Sequence, residues 1–401
     1  MNQNPIYSPP ARETVAVNAK PIPITAHQVE YLPSLTALRG IAALLVAVFH
    51  FEMAVARFVP ASQTMFFEKS YLMVDLFFIM SGFIMMHVYS SQFKNRIQAS
   101  SLKSFLVARF ARVYPLHLFS LLLLVVIVRW LTNWGNPPII LEQPADILPN
   151  ILLLHSFGFT NIYSWNIPSW SISAEWAAYL LFPLIALFIN KKKTFAAVLL
   201  FFLVVLAYYA IMFLLPRVNP INPAIPVPHN LNTTFDYGYI RGIAGFTAGV
   251  LVYLLYELRA VKKAFASDMA SLIIILGIII SMHFSLNDGL TVFLFAVLVL
   301  SFTANTGKIA AFCNRKFLQF LGNISYSVYL MQIFLQEPFS HGAYLPGTVG
   351  IGRGKQNIDF FPGLMYCIGY LILLILISYV TYQFIERPSR KFINRMWGNA
   401  K

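Results

Sequence analysis

Arg39 and His50 stand eleven positions apart in an otherwise apolar run, Leu38-Arg39-Gly40 through Val48-Phe49-His50. Eleven helical residues make about three turns, so the two side chains share a face roughly 16 Å apart along the axis. Ionisable groups inside a bilayer are costly and mark pockets or pathways. Taken singly, Arg39 reads equally well as a cation snorkelling to lipid phosphate and His50 as a hydrogen-bonded packing residue. Asp75 lies just inside the run Val74-Asp75-Leu76-Phe77-Phe78, where a first-turn acid is also favoured by the helix dipole. Glu175 lies about two turns into Pro168-Ser169-Trp170-Ser171-Ile172-Ser173-Ala174-Glu175. The serines can cap that helix, which leaves the carboxylate unexplained. A histidine beside one or two carboxylates suits general-base chemistry, because the acid fixes the tautomer and stabilises the imidazolium. Arg109 and Arg112, at i and i+3, share a helical face. They form a fork for phosphate or an ordinary pair of loop charges. With Arg39 at the same surface, three arginines suit a phosphorylated cytosolic substrate.

The elements that must position these residues are membrane helices. Of 401 residues, 58% are apolar and 11% charged, against about a quarter charged in soluble domains. That composition excludes a soluble enzyme and long disorder. The formal charge of +14 is distributed in short clusters between apolar runs, so nucleic acid is not expected as a partner; membrane lipids are. Ten stretches approach the roughly 20 residues a spanning helix needs. They lie near 35–56, 71–90, 113–131, 170–190, 195–215, 240–257, 268–285, 289–304, 320–336 and 362–384. Segment 147–157 is too short to span and reads as interfacial or re-entrant. Alternate loops carry 22 and 7 of the 29 basic residues. The positive-inside rule then puts both termini in the cytoplasm. The expectation is an all-α, polytopic membrane protein of about ten helices. Residues 1–33 form a flexible cytoplasmic tail, 34–390 the membrane domain and 391–401 a short basic cytoplasmic tail. No cleaved signal peptide is expected, since the first apolar run begins after Pro33 and reaches spanning length.

Other features read as structural. Gly245 and Gly249 make a small-xxx-small packing face. Arg241, at the outer end of its helix, pairs with an acid or meets a sugar. Cys313 and Cys367 are expected to be free thiols. The histidines other than His50 show no defensible pairing. No metal-ligand cluster, Walker loop, dinucleotide glycine pattern or Gly-x-Ser-x-Gly elbow is present, and no metal is expected.

Seven motifs in order resemble the acyltransferase-3 family of integral-membrane enzymes, which O-acylate surface polysaccharides, lipopolysaccharide and nodulation factors. They are Leu38-Arg39-Gly40 with His50; Val74-Asp75-Leu76-Phe77-Phe78 with Ser81-Gly82-Phe83; Arg109-x-x-Arg112 before Tyr114-Pro115; Pro168-Ser169-Trp170 through Glu175; Arg241 with Gly249; Leu321-Gly322-Asn323 through Leu330; and Glu386-Arg387-Pro388. The resemblance covers about residues 34–390. It implies ten helices, acyl-coenzyme A (usually acetyl-coenzyme A) as co-substrate and a hydroxyl acceptor on a surface polysaccharide or lipid-linked saccharide. It also implies a multi-pass protein of the bacterial inner membrane. In this sequence Gln332 stands where relatives typically carry a histidine, and one acid, Glu175, stands where two adjacent acids are common.

Residues and resemblance together give one expected mechanism. Arg39, Arg109 and Arg112 grip the donor. Its thioester threads along the first helix to His50, which deprotonates the acceptor with Glu175 or Asp75 as orienter. Ser169, Trp170, Arg241 and Asn323 are acceptor-side or structural positions. The competing classes are a transporter or flippase for a lipid-linked sugar, and a donor-hydrolysing or regulatory membrane protein.

Overall fold

The computed structural model describes residues 32–133, 144–159, 165–215, 229–335 and 358–398. The tail expected over 1–33 lies almost wholly outside them, as do Arg217, Arg353 and Lys355. The named helices are α1 (Pro33–Ala54), α2 (Met73–Tyr89), α3 (Ala99–Asn133), α4 (Ile147–Ile151), α5 (Trp170–Lys191), α6 (Lys193–Tyr209) and α7 (Gly238–Tyr256). They continue with α8 (Arg259–Ala264), α9 (Asp268–His283), α10 (Asp288–Ala304), α11 (Lys308–Cys313), α12 (Lys316–Met331), α13 (Phe360–Thr381) and α14 (Arg387–Trp397). No strand occurs among the described residues, so the all-α expectation holds.

All ten apolar stretches fall on helices, but not all as expected spans. Among the described residues, seven helical segments are long and apolar enough to cross a membrane, built on α1, α2, α3, α5, α6, α7 and α13. Helices α9, α10 and α12 run only 16, 17 and 16 residues. Two boundaries differ in a way that matters for the site. Helix α3 starts at Ala99 and runs through Pro115, so Arg109 and Arg112 are helical residues and not part of a preceding loop. The expected basic tail is instead α14, which continues from α13 through a π-helical turn at Tyr382–Glu386.

Exposure follows the apolar composition. Phe201, Phe202, Val205 and Leu206 of α6 are exposed, as side chains facing lipid would be. Close backbone crossings hold the interior. A Cβ on Gly249 of α7 would strike the Ile79 carbonyl of α2, and one on Gly322 of α12 would strike the Thr36 carbonyl of α1. The small-residue reading of Gly245 and Gly249 is thus met by α7 packing on α2. Gly249→Leu is expected to lower the thermal midpoint of the detergent-solubilised protein, because overpacking typically costs about 1–3 kcal/mol. A wild-type melting curve would show that this crossing tolerates side chains.

Segment 144–159 does not span. Asn150 O is held by His117 Nε2 of α3 at 2.9 Å, and Ser173 Oγ of α5 donates to Leu153 O at 2.6 Å. Leu153 is held at φ 57°, a left-handed conformation costly for a branched side chain. Cys313 and Cys367 are free and buried.

Candidate active site

Helices α1, α2, α3, α5 and α12 line a cavity of about 130 Å³. Its polar wall is Arg39, Ser81, Arg109, Arg112, Ser171, Glu175, Tyr179, Ser325, Tyr326 and Tyr329. Three arginines and one carboxylate thus face one space, and the three arginines are those the spacing arguments singled out. The Gly322 crossing brings α1 onto α12, and Arg39 Nη2 donates to Gly322 O at 3.1 Å. Arg109 Nη2 donates to Tyr89 Oη at 2.9 Å, and its guanidinium lies over the Tyr89 and Tyr179 rings at 5.1 and 5.9 Å. Arg112 ion-pairs with Glu386 through Nη1 and Oε1 and covers the Tyr326 ring at 5.5 Å. The second Glu386 oxygen accepts from Ser327 Oγ at 2.9 Å, so this buried acid is fully partnered.

Glu175 lies in the cavity, with both donors on one oxygen. Its Oε1 accepts from Ser81 Oγ at 2.6 Å and from Tyr179 Oη at 2.5 Å. Hydroxyl donors of this kind offset the cost of holding a carboxylate away from bulk water. Ser171 Oγ donates to Tyr329 Oη at 2.8 Å, closing the wall between α5 and α12.

His50 is not among the residues lining this cavity. Its Nδ1 is 3.1 Å from Val46 O. A carbonyl only accepts, so Nδ1 carries the hydrogen and Nε2 keeps a lone pair. The side chain of Gln332 lies beside the imidazole, and its Nε2 donates to the backbone of cavity-lining Tyr329 at 2.9 Å. The eleven-residue spacing does put both side chains toward α12. Near Arg39, Gly322 lets the α1 and α12 backbones come into direct contact; at the level of His50 the buried Gln332 stands beside the ring. The cavity is lined by Arg39 and not by His50.

Asp75 does not orient His50. It is fully buried and paired with Arg241, whose Nη2 is 2.5 Å from Oδ2 and whose Nε is 3.2 Å from both oxygens. Arg241 also donates to Tyr71 O at 3.1 Å and Thr233 O at 3.3 Å, and covers the Trp170 ring at 5.3 Å. Asp75, Arg241 and Trp170 therefore tie α2, α5 and α7 together, which is the acid-pairing alternative for Arg241. Glu175 likewise has no bond to His50; the expected carboxylate–imidazole unit does not form. Ser169 Oγ is 3.0 Å from His155 Nε2, and His155 stacks on His117 with centroids 5.8 Å apart. This buried group supplies pairings for two histidines the sequence left unpaired. Asn323 is exposed on α12 and lines nothing described here.

Residues 32–383 match the acyltransferase-3 family's acyltransferase domain. The chain belongs to that family. Among its relatives, acyltransferase MdmB of Streptomyces mycarofaciens is 38% identical over 161 residues, 38% of each chain. O-acetyltransferase OatA of Staphylococcus aureus is 23% identical over 386 residues, 90% of this chain and 57% of the relative. The chain thus spans well under two thirds of the length of either relative. No solved structure matches it.

In this chain, several site residues had weak signals in the sequence. Ser81 and Glu386 sit in quoted motifs, but no spacing rule joins Glu386 to Arg112 across 274 residues. Tyr89 and Tyr179 carried no signal beyond aromatic content.

Proposed function

We propose that this membrane acyltransferase moves an acyl group, acetyl by the names of its relatives, from acyl-coenzyme A to a hydroxyl of a surface glycan or lipid-linked saccharide. It would act as a multi-pass protein of the bacterial inner membrane with both termini in the cytoplasm. The observation that carries this reading is the convergence of Arg39, Arg109 and Arg112 on one cavity. A donor with a diphosphate and a further phosphate suits such a cluster, because guanidinium–phosphate hydrogen bonds are charge-assisted. Glu175, fixed by Ser81 and Tyr179, gives the same cavity a carboxylate to place the reacting end. His50 is the proposed general base. Its Nδ1–H is committed to Val46 O, so the free lone pair sits on Nε2, the atom that would take the acceptor's proton. Transfer then breaks the thioester C–S bond, forms the ester C–O bond and releases the thiol, which gains a proton.

Purified protein with labelled acetyl-coenzyme A and candidate glycans tests the reading. Label in the glycan with release of thiol supports it. Movement of a lipid-linked sugar without thioester consumption would replace it with transport, and free acetate as the sole product with hydrolysis. Arg109→Ala is expected to raise the apparent donor KM about tenfold or more, since a hydrogen bond to a charged group contributes about 1.5–3 kcal/mol. An unchanged KM would reassign Arg109 to packing against Tyr89 and Tyr179.

A further inference from the structure

The cavity arginines have a neighbour on the C-terminal helix. Glu386 holds Arg112, and α14 begins at the next residue and packs against α3. Arg390 is four residues past Glu386, one helical turn on and on the same face. Arg109 is three residues before Arg112, again on the same face. Helix α14 packs along α3 on from this ion pair. Arg390 is within electrostatic range of both Arg109 and Arg112, and it is solvent-exposed. Glu386, just before α14, is the acid that faces the group, and Arg112 and Ser327 already occupy its two oxygens.

Folding thus gathers three guanidiniums around one committed carboxylate. Like charges at short range repel, and a bound polyanion removes that cost. The Nε of Arg109 is buried without a hydrogen-bond partner among the described residues, so the cluster also holds an unused donor. The opposite side of α14 has a different character. Phe392 and Met396 are exposed, and Phe392 is about 200° round the helix from Arg390. The apolar side suits lipid, leaving Arg390 turned toward α3.

We propose that Arg390 completes a phosphate-binding site with Arg109 and Arg112, at which α14 clasps the phosphate-bearing end of the donor. The inference rests on the donor reading above and adds a residue to it: α14 is part of the binding site and not a tail. The chemistry recognised is clustered phosphate. A nucleotide donor and an anionic lipid headgroup both present it, and the site is assigned to the donor.

The test measures equilibrium binding to full-length protein in nanodiscs of neutral phosphatidylcholine, using coenzyme A, 3′-dephospho-coenzyme A and inorganic pyrophosphate as probes. Arg390→Gln is expected to weaken coenzyme A binding roughly three- to tenfold, the range for one partly exposed charge-assisted contact. Arg390→Lys should fall between it and wild type, because a lysine keeps the charge but loses the fork. Arg395→Gln, one turn further along α14, should bind as wild type. Each variant is checked for a wild-type melting curve; Arg390→Lys keeps the question open to measurement where Arg390→Gln fails to fold. Equal affinities of wild type and Arg390→Gln for coenzyme A and pyrophosphate would overturn the proposal. So would a loss seen only for association with phosphatidylglycerol nanodiscs, which would assign Arg390 to lipid. If wild type binds pyrophosphate but not coenzyme A, the donor reading fails. The pyrophosphate affinity of Arg390→Gln then still decides whether the anion site exists.

Discussion

His50→Ala is expected to reduce acyl transfer by about 10²–10⁴-fold at unchanged protein level, the usual worth of a positioned general base. Donor binding should persist, because His50 does not line the arginine cavity. The expected signature is therefore a fall in kcat with little change in donor Kd. His50→Gln sharpens the test. It keeps a hydrogen-bond donor able to reach Val46 O yet supplies no basic nitrogen, so it should be nearly as inactive as the alanine variant. Near wild-type turnover in both would remove His50 from the chemistry and leave Glu175 as the proton acceptor facing the donor. A parallel Gln332→Ala variant separates position from basicity. Gln332 lies beside His50 and bonds the Tyr329 backbone, so its loss should loosen the packing around the imidazole and lower kcat while leaving the basic nitrogen in place.

Much of this arrangement was legible because membrane helices impose strong rules. Apolar length located every helix that carries a site residue; the expense of an intramembrane charge singled out Arg39 and Glu175, i, i+3 spacing singled out Arg109 and Arg112, and the four do meet in one cavity. Helical spacing also put Arg39 and His50 on a common face correctly. What spacing could not supply was the neighbour at each level. Gly322 brings the α12 backbone onto α1 near Arg39, and Gln332, just past the end of α12, stands beside His50; both lie more than 270 residues away in the chain. The same limit misassigned Asp75. A lone acid near a helix start gives no sign of its partner, and Arg241 is 166 residues distant. Helix ends were the other weakness. Hydropathy ended the third span at its first charges, whereas α3 carries Arg109 and Arg112 within its own turns. The helix continues through the charged turns, whose side chains are met by the carboxylate, phenol and aromatic faces around them, and past Pro115, which lacks the N–H that would donate to residue 111.

The Asp75–Arg241 pair gives the largest expected effect on stability. Both side chains are at most 1% exposed, so removing either leaves a buried charge without its partner, a loss of about 3–5 kcal/mol. Asp75→Ala and Arg241→Ala should each sharply reduce the monodisperse fraction after extraction and lower the thermal midpoint. The pair Asp75→Leu with Arg241→Met replaces both charges by apolar side chains of similar reach, and such replacements are often neutral. The double variant should therefore be more stable than either single one. It should also retain acyl transfer, since neither residue touches the cavity arginines, Glu175 or His50. Loss of activity in a double variant that melts like wild type would restore Asp75 to the catalytic group. The Tyr71 and Thr233 carbonyls that Arg241 now satisfies would lose their donor in the double variant. Some destabilisation relative to wild type is accordingly expected, smaller than that of a stranded charge because a carbonyl carries no net charge to desolvate.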